Sequence, residues 1–382
     1  MKYVDEFRDL ALAQRIAARI AAEAQPGRRY SFMEFCGGHT HAIARHGVPA
    51  LLPPQVELIH GPGCPVCVLP VGRIDAAIRL ALDHGVLLCT YGDAMRVPAS
   101  EGLSLMRARS RGADVRRVAS PTEALRLARE HPQREVVFLA LGFETTTPPT
   151  ALALLQAERE GLRNFSVLCH HVRTPPALQH LLDSGDAVSL DGFIGPAHVS
   201  LVIGHGAYEP FARRHGKPVV IAGFEPLDVM QSVWMLMRQV NQGRAEVENE
   251  FTRAVTREGN RVALEAMATV FEWRESFEWR GLGTLPHSAW RLRERFAAFD
   301  AERRFNVAHH AVPDHPQCAC GYILRGRQHP RDCKLFATVC TPEHPLGACM
   351  VSSEGACAAH YRHGQAAVSV PGVAASAGGP SP

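Results

Sequence analysis

Short apolar runs alternate with helical patterns through the middle of this chain. The runs are rich in Val, Ile and Leu without polar alternation, which is typical of strands buried on both faces of a parallel sheet. The pattern predicts strands at 56–60, 86–90, 136–141, 166–169 and 218–223. Helical periodicity fills 73–85, which closes at Gly85, and 121–132, which opens with Pro121. Strand followed by helix, repeated, predicts the α/β class with parallel sheets. Two such units are predicted, at 45–120 and 121–225.

The two ends of the chain have a different pattern of apolar and polar residues. An apolar stripe at Leu12, Ile16 and Ile20 predicts a helix within an N-terminal segment, 1–44, that also holds the Cys36 loop and packs with a third domain. That domain is predicted at 226–365, with a helix that ends near Gly243 and mostly helical structure from there to about residue 300. The tail, 366–382, is small and polar, and we expect it to be disordered.

Composition narrows the class of protein. The chain has 382 residues, of which 46% are hydrophobic and 21% charged, with a net charge of +3, as in ordinary globular proteins. No basic stripe is present, so neither nucleic acid nor a membrane surface is expected as a partner. The N-terminus is charged and no apolar run reaches about 18 residues, which predicts a cytoplasmic protein. Cytoplasmic thiols stay reduced, so the eleven cysteines point to metal or redox chemistry.

Six of the cysteines are crowded between Cys318 and Cys357. A structural zinc site and a [4Fe–4S] cluster both require four such ligands. Zinc ribbons usually contain two CxxC pairs, whereas the tightest pair here is CxC, so the spacing favours an iron–sulfur cluster. Two thiols are then in excess and could form a switchable disulfide. The spacing does not say which two.

Three further cysteines lie near the N-terminus. Cys36 precedes two glycines in "CGGHTH", where His39 and His41 could be metal ligands, although a hydrogen-bonding loop explains each histidine equally well. Cys64 and Cys67 form a CxxC pair in the predicted strand-to-helix loop. We expect the helix to begin after Pro70, which argues against a thioredoxin-like site with its first cysteine at a helix N-terminus. Redox and metal-binding roles both remain open for the pair.

Polar residues follow three other strands or loops: Asp93, Glu144 with three threonines, and His198. Each is explained by helix capping. Because ligands bind at the carboxyl ends of parallel strands, these residues could also line one cleft between the two units.

Several segments, taken in order, resemble the HypD family of [NiFe]-hydrogenase maturation factors. They include "FMEFCGGHTH", "HGPGCPVCV", "YGDAMRVP", "GFETTTP" and "GFIGPAHVS". The resemblance continues through the C-terminal cysteines and ends near residue 365. It implies two similar α/β domains and a third, mainly helical domain that carries a [4Fe–4S] cluster.

The resemblance also implies roles for individual cysteines. The cluster ligands would be Cys318, Cys333, Cys340 and Cys357. Cys320 and Cys349 would be the redox-active pair that remains. Cys36, Cys64 and Cys67 would hold iron, and Cys64 and Cys67 would in addition relay electrons.

The implied function is assembly of the Fe(CN)2CO group of [NiFe] hydrogenases on a transiently bound mononuclear iron. The implied partners are the chaperone HypC, the thiocyanate carrier HypE and, indirectly, the hydrogenase large subunit. His39 and Glu354 join the expected reactive residues, Glu354 as a proton shuttle near the cluster. Such a chain is a redox-active assembly scaffold rather than a classical turnover enzyme. The segment after the last cysteine, "AAHYRHG", departs from the family's aromatic-rich pattern by its histidines, His360 and His363.

The same cysteines are compatible with two other functions. An iron–sulfur disulfide reductase acting on a thioredoxin-like partner would use the same cysteines. A zinc-stabilised binding module would contain zinc and neither iron nor sulfide.

Overall fold

The computed structural model describes residues 5–185 and 189–364, which fold as an α/β protein with two parallel sheets. Within these ranges, the strands are β1 (Tyr30–Glu34), β2 (Val56–His60), β3 (Leu87–Thr90), β4 (Val115–Arg117), β5 (Val136–Gly142), β6 (Phe165–His171), β7 (Gly192–Gly195), β8 (Val219–Ile221), β9 (Val247–Asn249), β10 (Phe271–Trp273), β11 (Ser276–Trp279), β12 (Gly283–Pro286) and β13 (Trp290–Leu292). The α-helices are α1 (Leu10–Glu23), α2 (Gly37–Arg45), α3 (Pro65–Val68), α4 (Val71–Asp83), α5 (Leu105–Ser110), α6 (Pro121–Glu130), α7 (Thr147–Glu160), α8 (Thr174–Asp183), α9 (Ala197–Ile203), α10 (Glu209–His215), α11 (Pro226–Asn241), α12 (Arg261–Val270), α13 (Ala301–Arg304), α14 (Cys320–Leu324) and α15 (Ala356–His363).

The two parallel sheets confirm the predicted class. Sheet A has the strand order β2-β1-β7-β8-β9, and sheet B has the order β4-β3-β5-β6. The five predicted strands correspond to β2, β3, β5, β6 and β8. The other four strands of the two sheets were not predicted, because β1, with the sequence "YSFME", mixes polar and apolar residues, whereas β4, β7 and β9 are very short.

The sheets divide the chain differently from the predicted units 45–120 and 121–225. Sheet A takes β1 and β2 from the beginning of the chain and β7, β8 and β9 from its second half. Sheet B is built from the residues between them, 87–171. A strand pairs with whichever strand lies beside it in space, and β2 pairs with β1, where Tyr30 lies opposite Val56. The local pattern of strands and helices along the sequence does not show which strands become neighbours.

A shared core joins the sheets. Met33, Ile59 and Phe193 of sheet A belong to the same buried cluster as Leu88 and Leu139 of sheet B. The opposite face of sheet A is covered by α1 and α11, and the opposite face of sheet B by α7 and α12. The functional side chains described below lie near the edge of the shared core, at the carboxyl ends of the strands.

The predicted N-terminal helix is confirmed as α1, which buries Ile16 and Ile20 against α11. The mostly helical prediction for 243–300 is wrong, because this segment contains β9 to β13 as well as α12. Two antiparallel strand pairs form here, β10 with β13 and β11 with β12. In β11 the residues Phe277 and Trp279 are buried and Glu278 between them is partly exposed, the alternation of a strand with one buried face.

No helix among the described residues is both long and apolar enough to cross a membrane. The predicted tail, 366–382, lies outside the described residues.

Leu139 and Leu152 provide a matched test of the shared core. Leu139 lies on β5 with no exposed surface, whereas Leu152 on α7 is 55% exposed. We expect Leu139→Ala to lower the free energy of unfolding by about 2–5 kcal/mol, because it leaves a cavity between the sheets. Leu152→Ala should change it by less than about 0.5 kcal/mol. Urea unfolding followed by circular dichroism measures both, and equal effects would contradict this account of the core.

Candidate functional site

Cys36 lies where the strand order of sheet A reverses. It follows β1 and caps the N-terminus of α2, and β1 pairs with β2 on one side and β7 on the other. Such a reversal is where open parallel sheets bind ligands, because the connections on either side diverge and leave a crevice. His198 follows β7, and its Nδ1 lies 4.0 Å from Cys36 Sγ. Both predicted residues therefore lie together at this reversal, the place where a ligand crevice is expected.

A buried carboxyl group, Glu34, organises the base of this crevice. It has no exposed surface, and its Oε2 accepts a hydrogen bond from the Cys36 backbone N–H at 2.9 Å. Its Oε1 accepts hydrogen bonds from the Thr40 hydroxyl and from His60 Nδ1, the latter at 2.8 Å. Glu34 was not predicted from the sequence. Its place at the end of β1, two residues before Cys36, was the available signal.

The CxxC loop packs directly against Cys36. Gly37 N–H donates to the carbonyl oxygen of Gly63 at 3.1 Å. A Cβ atom at Gly63 would lie 2.4 Å from the Cys36 backbone nitrogen, so only glycine allows this approach. Cys64 and Cys67 are joined in a disulfide, and both side chains are buried.

The predicted start of the helix after Pro70 is only partly right. A one-turn helix, α3, begins at Pro65 with Cys64 as its N-cap, and α4 then begins at Val71. Pro65 is favourable at the first helical position because its fixed φ suits a helix and its missing N–H would have been unpaired there. Pro70 separates the two helices, because a proline has no N–H with which to continue the hydrogen-bond ladder of α3.

His39 and Glu354 occupy different sides of the Cys36 loop. His39 Nε2 lies 3.0 Å from the carbonyl oxygens of both Ala222 and Gly223, and its ring packs on Phe224. Burial lowers the pKa of His39. Glu354 lies so close to Gly37 that a Cβ there would be 2.4 Å from the Glu354 Cβ. Glu354 is therefore beside Cys36.

The charges around Cys36 favour its protonated thiol. Burial raises its pKa to about 12, with further contributions from Glu354 and Glu34. The pKa of Glu354 is itself raised by burial and by the negative charges of Asp93 and Glu34. Loss of the Cys36 proton therefore needs a compensating positive charge, such as a metal ion.

Asp93 follows β3 and faces this site, but Glu144 does not join it. The two Glu144 oxygens accept hydrogen bonds from the backbone N–H and hydroxyl of Thr174, at 2.8 and 2.9 Å. Thr174 begins α8, so Glu144 stabilises a helix N-terminus. His41 also lies elsewhere, with its ring against His363.

The six C-terminal cysteines line one small cavity. Its lining includes the four residues that the family resemblance marks as cluster ligands and the remaining pair: Cys318, Cys333, Cys340, Cys357, Cys320 and Cys349. Cys320 and Cys349 form a disulfide, and the other four are free thiols. Burial raises the pKa of Cys357, as do the neighbouring Cys318, Cys340 and Cys333. Within 5–185 and 189–364, no three His, Cys, Asp or Glu side chains are already arranged as a metal-ligand set.

The CxxC pair and the cysteine cavity adjoin each other. Cys67 Sγ lies 3.9 Å from the carbonyl oxygen of Ala348, the residue before Cys349. On the other side of Ala348, Gly347 packs on Cys318, since a Cβ at that position would lie 2.5 Å from Cys318 Sγ. The segments that carry the cysteines therefore adjoin one another, from the cavity through the CxxC turn to the Cys36 loop.

These features define a class of protein: an α/β protein with two parallel sheets whose cysteines, supplied from both ends of the chain, meet at the carboxyl ends of the strands. A sequence model of the HypD family, described as "Hydrogenase formation hypA family", matches residues 11–364. The chain therefore belongs to the HypD family of hydrogenase maturation factors.

Curated relatives match this chain over nearly their whole length. The "Hydrogenase maturation factor HypD" of Cupriavidus necator is 65% identical over 96% of this chain and 98% of its own. The protein of the same name from Azotobacter vinelandii is 62% identical over 98% of this chain and 100% of its own. That of Escherichia coli K12 is 47% identical over 96% of this chain and 99% of its own.

Removing a neighbouring negative charge should make Cys36 more reactive. We expect Glu354→Gln to lower the pKa of the Cys36 thiol, so that more thiolate is present at pH 9. A decrease of half a pH unit would raise the thiolate fraction about threefold. The measurement is the alkylation rate of Cys36 by iodoacetamide, followed by mass spectrometry of the metal-free chain. The control is Glu343→Gln, an exposed residue of the same C-terminal segment, which should leave the rate unchanged. A rate that also stays unchanged in Glu354→Gln would contradict the electrostatic account.

Proposed function

We propose that this chain is both scaffold and reductant in assembling the Fe(CN)2CO group of [NiFe] hydrogenases. The observation that carries the proposal is that the C-terminal cysteine cavity adjoins the CxxC turn, which in turn packs against the Cys36 loop. A scaffold for iron requires several thiolates that come together. A reductant requires redox-active groups next to them, and the two disulfides lie in these adjoining segments.

The cavity supplies the residues for a [4Fe–4S] cluster. Cys318, Cys333, Cys340 and Cys357 would hold it, because four thiolates are the usual ligand set and these four thiols influence one another's charge. A cluster bound there would supply single electrons. The raised pKa of Cys357 supports the fit, since crowded, buried thiols lose their protons when a cation binds among them.

The two disulfides are suited to pass electrons towards the crevice. Reducing Cys320–Cys349 or Cys64–Cys67 takes two electrons and two protons and yields two thiols. Cys349 is adjacent in sequence to Ala348, whose carbonyl oxygen lies 3.9 Å from Cys67 Sγ. Exchange between the pairs would require the sulfur atoms of Cys67 and Cys349 to meet across this contact. The partly buried carboxyl of Glu354 beside Cys36 is a candidate proton donor.

Cys36, Cys64 and Cys67 are the proposed ligands of the iron that is being assembled. Soft thiolates suit low-spin iron that carries cyanide and carbonyl groups. The crevice is flanked by His198 and by the Phe224 ring, which packs on both His198 and His39. His39 is held by two backbone carbonyl oxygens, which suits it to fix the Ala222–Gly223 backbone beside the crevice.

The proposed partners are HypC, which would contribute a further cysteine to the iron, and HypE, which would deliver cyanide as a thiocyanate. The hydrogenase large subunit would receive the group indirectly. The proposed setting is the cytoplasm. The competing function is a disulfide reductase that passes electrons to a thioredoxin-like protein.

Anaerobic purification with co-expressed HypC distinguishes these functions. We expect infrared bands in the cyanide and carbonyl stretching region, with about four sulfide ions and about five or more irons per chain. Iron and sulfide without those bands, despite active partners, would favour the disulfide reductase. Zinc without iron or sulfide would instead favour a zinc-stabilised binding module.

Single cysteine substitutions locate the assembly site. Cys36→Ala, Cys64→Ala and Cys67→Ala should each abolish hydrogenase maturation but keep the cluster's iron and sulfide, about four of each per chain, because these residues lie outside the cavity. Cys89→Ala is the matched control, since Cys89 is a buried free cysteine in β3 of sheet B. Hydrogenase activity in the cell extract and metal analysis give the two readouts. Normal activity in the first three variants would refute the assignment.

A further inference from the structure

We propose that His60 and His360 form a positioning pair that holds the cysteine cavity against the CxxC loop. The expected effect of this pair on electron transfer to Cys64–Cys67 rests on the proposed function, whereas the pair itself is a feature of the fold. His60 Nε2 and His360 Nε2 lie 2.8 Å apart, and they join the end of β2 to helix α15 across 300 positions of sequence.

The hydrogen bond to Glu34 selects the tautomer of His60. The two residues are directly opposite each other in the pairing of β1 with β2, and Glu34 Oε1 lies 2.8 Å from His60 Nδ1. A carboxylate only accepts hydrogen bonds, so His60 carries its proton on Nδ1 and its Nε2 is an acceptor. His360 must then donate from Nε2–H. The result is one hydrogen-bonded chain from His360 through His60 and Glu34 to the backbone N–H of Cys36.

The surroundings of His360 keep it neutral and available as that donor. Burial lowers its pKa to about 3, with further contributions from His60, His329 and Arg331. The His329 ring meets the His360 ring edge-on, with centroids 4.4 Å apart. Protonation of His360 would place a cation among these groups, so the neutral donor is the stable form at ordinary pH.

The two histidines are close in sequence to the two groups of cysteines. His60 precedes Cys64 by four residues, and His360 follows Cys357 by three, one turn along α15. The C-terminal cysteine segment, 318–364, is thus attached to β2 and the CxxC loop at several points. They include the His60–His360 hydrogen bond, the packing of Cys67 against Ala348 and the contact of Ile59 with Gly326. Among these the hydrogen bond is directional, so it fixes how α15 is turned relative to β2.

Loss of one attachment should therefore misalign the thiols without removing any of them. A displacement of about 1 Å at a distant position can slow a reaction about a hundredfold when the reacting groups must be held in register. The pair would thus control how fast electrons reach Cys64–Cys67, and not whether the cysteines can bind metal.

Three variants isolate the hydrogen bond. His360→Phe keeps a planar ring but removes the donor. His360→Gln keeps an N–H near the same position and should restore the bond. His363→Phe is the matched control, because His363 lies on the same helix, contacts the His41 ring, and has a buried Nε2 without a hydrogen-bond partner.

The first readout is electron arrival at the CxxC pair. Anaerobically purified full-length chain is mixed with dithionite, quenched at intervals with N-ethylmaleimide, and analysed by mass spectrometry for labelled Cys64 and Cys67. The iron-free chain gives the rate of direct reduction. We expect His360→Phe to slow labelling at least about tenfold, His360→Gln to recover to within about threefold of the unmodified chain, and His363→Phe to remain within about twofold.

The second readout is hydrogen exchange of the backbone amides at 61–67 and 356–363, which does not depend on the proposed function. We expect faster exchange in both segments for His360→Phe alone. Unchanged exchange in that variant would overturn the positioning pair. So would faster exchange with labelling at the normal rate, since the contact would then be structural only. If the unmodified chain never reduces Cys64–Cys67, the proposed electron relay fails, and the exchange data still decide whether the pair joins the two segments.

Discussion

The buried Glu34 carboxyl group is the point on which the arrangement of the site depends. It has no contact with solvent, and its oxygens accept hydrogen bonds from the Cys36 backbone, the Thr40 hydroxyl and the His60 ring. A carboxyl group buried without such partners would be strongly destabilising, so the three donors are held where they are. Each donor belongs to a different segment: the Cys36 loop, helix α2 and strand β2. One desolvated group thus fixes the relative position of the segments that carry the N-terminal thiols.

Parallel strands make this convergence possible. In a parallel sheet every strand ends at the same edge, so residues that follow β1, β2 and β7 become neighbours although they are far apart in sequence. Sheet B presents Asp93 after β3 to the same region. The C-terminal cysteines complete the site because their segment packs on the CxxC turn through Ala348, and glycines at 37 and 63 permit the close backbone contacts. Burial of Cys36 raises the pKa of its thiol and so favours the protonated form.

Several elements could be predicted from local pattern. The apolar runs of β2, β3, β5, β6 and β8 and the stripes of α1 and α11 follow from burial alone. The motifs "CGGHTH" and CxxC marked Cys36, Cys64 and Cys67 as candidate residues, and a position near the carboxyl end of a strand marked His198.

Other features could not be predicted in this way. β1 is irregular in pattern, and the segment from 243 to 300 proved to contain short antiparallel strands because Phe277 and Trp279 alternate with Glu278 at a period of two. The pairing of His60 with His360 had no local signal, and the one signal for Glu34 was its place two residues before Cys36.

The class of fold, the family to which the chain belongs and the residue types available for chemistry could be predicted from the amino-acid sequence alone. These depend on the order of residues along the chain, through hydrophobic period, glycine and proline positions and the spacing of cysteines. Which residues meet was revealed by the folded chain. Sheet A draws its strands from both halves of the chain, Glu354 lies beside Cys36, Glu144 caps a helix, and His360 reaches His60. Pairing between distant strands and the burial of polar groups depend on contacts across the folded molecule, and no local pattern encodes them.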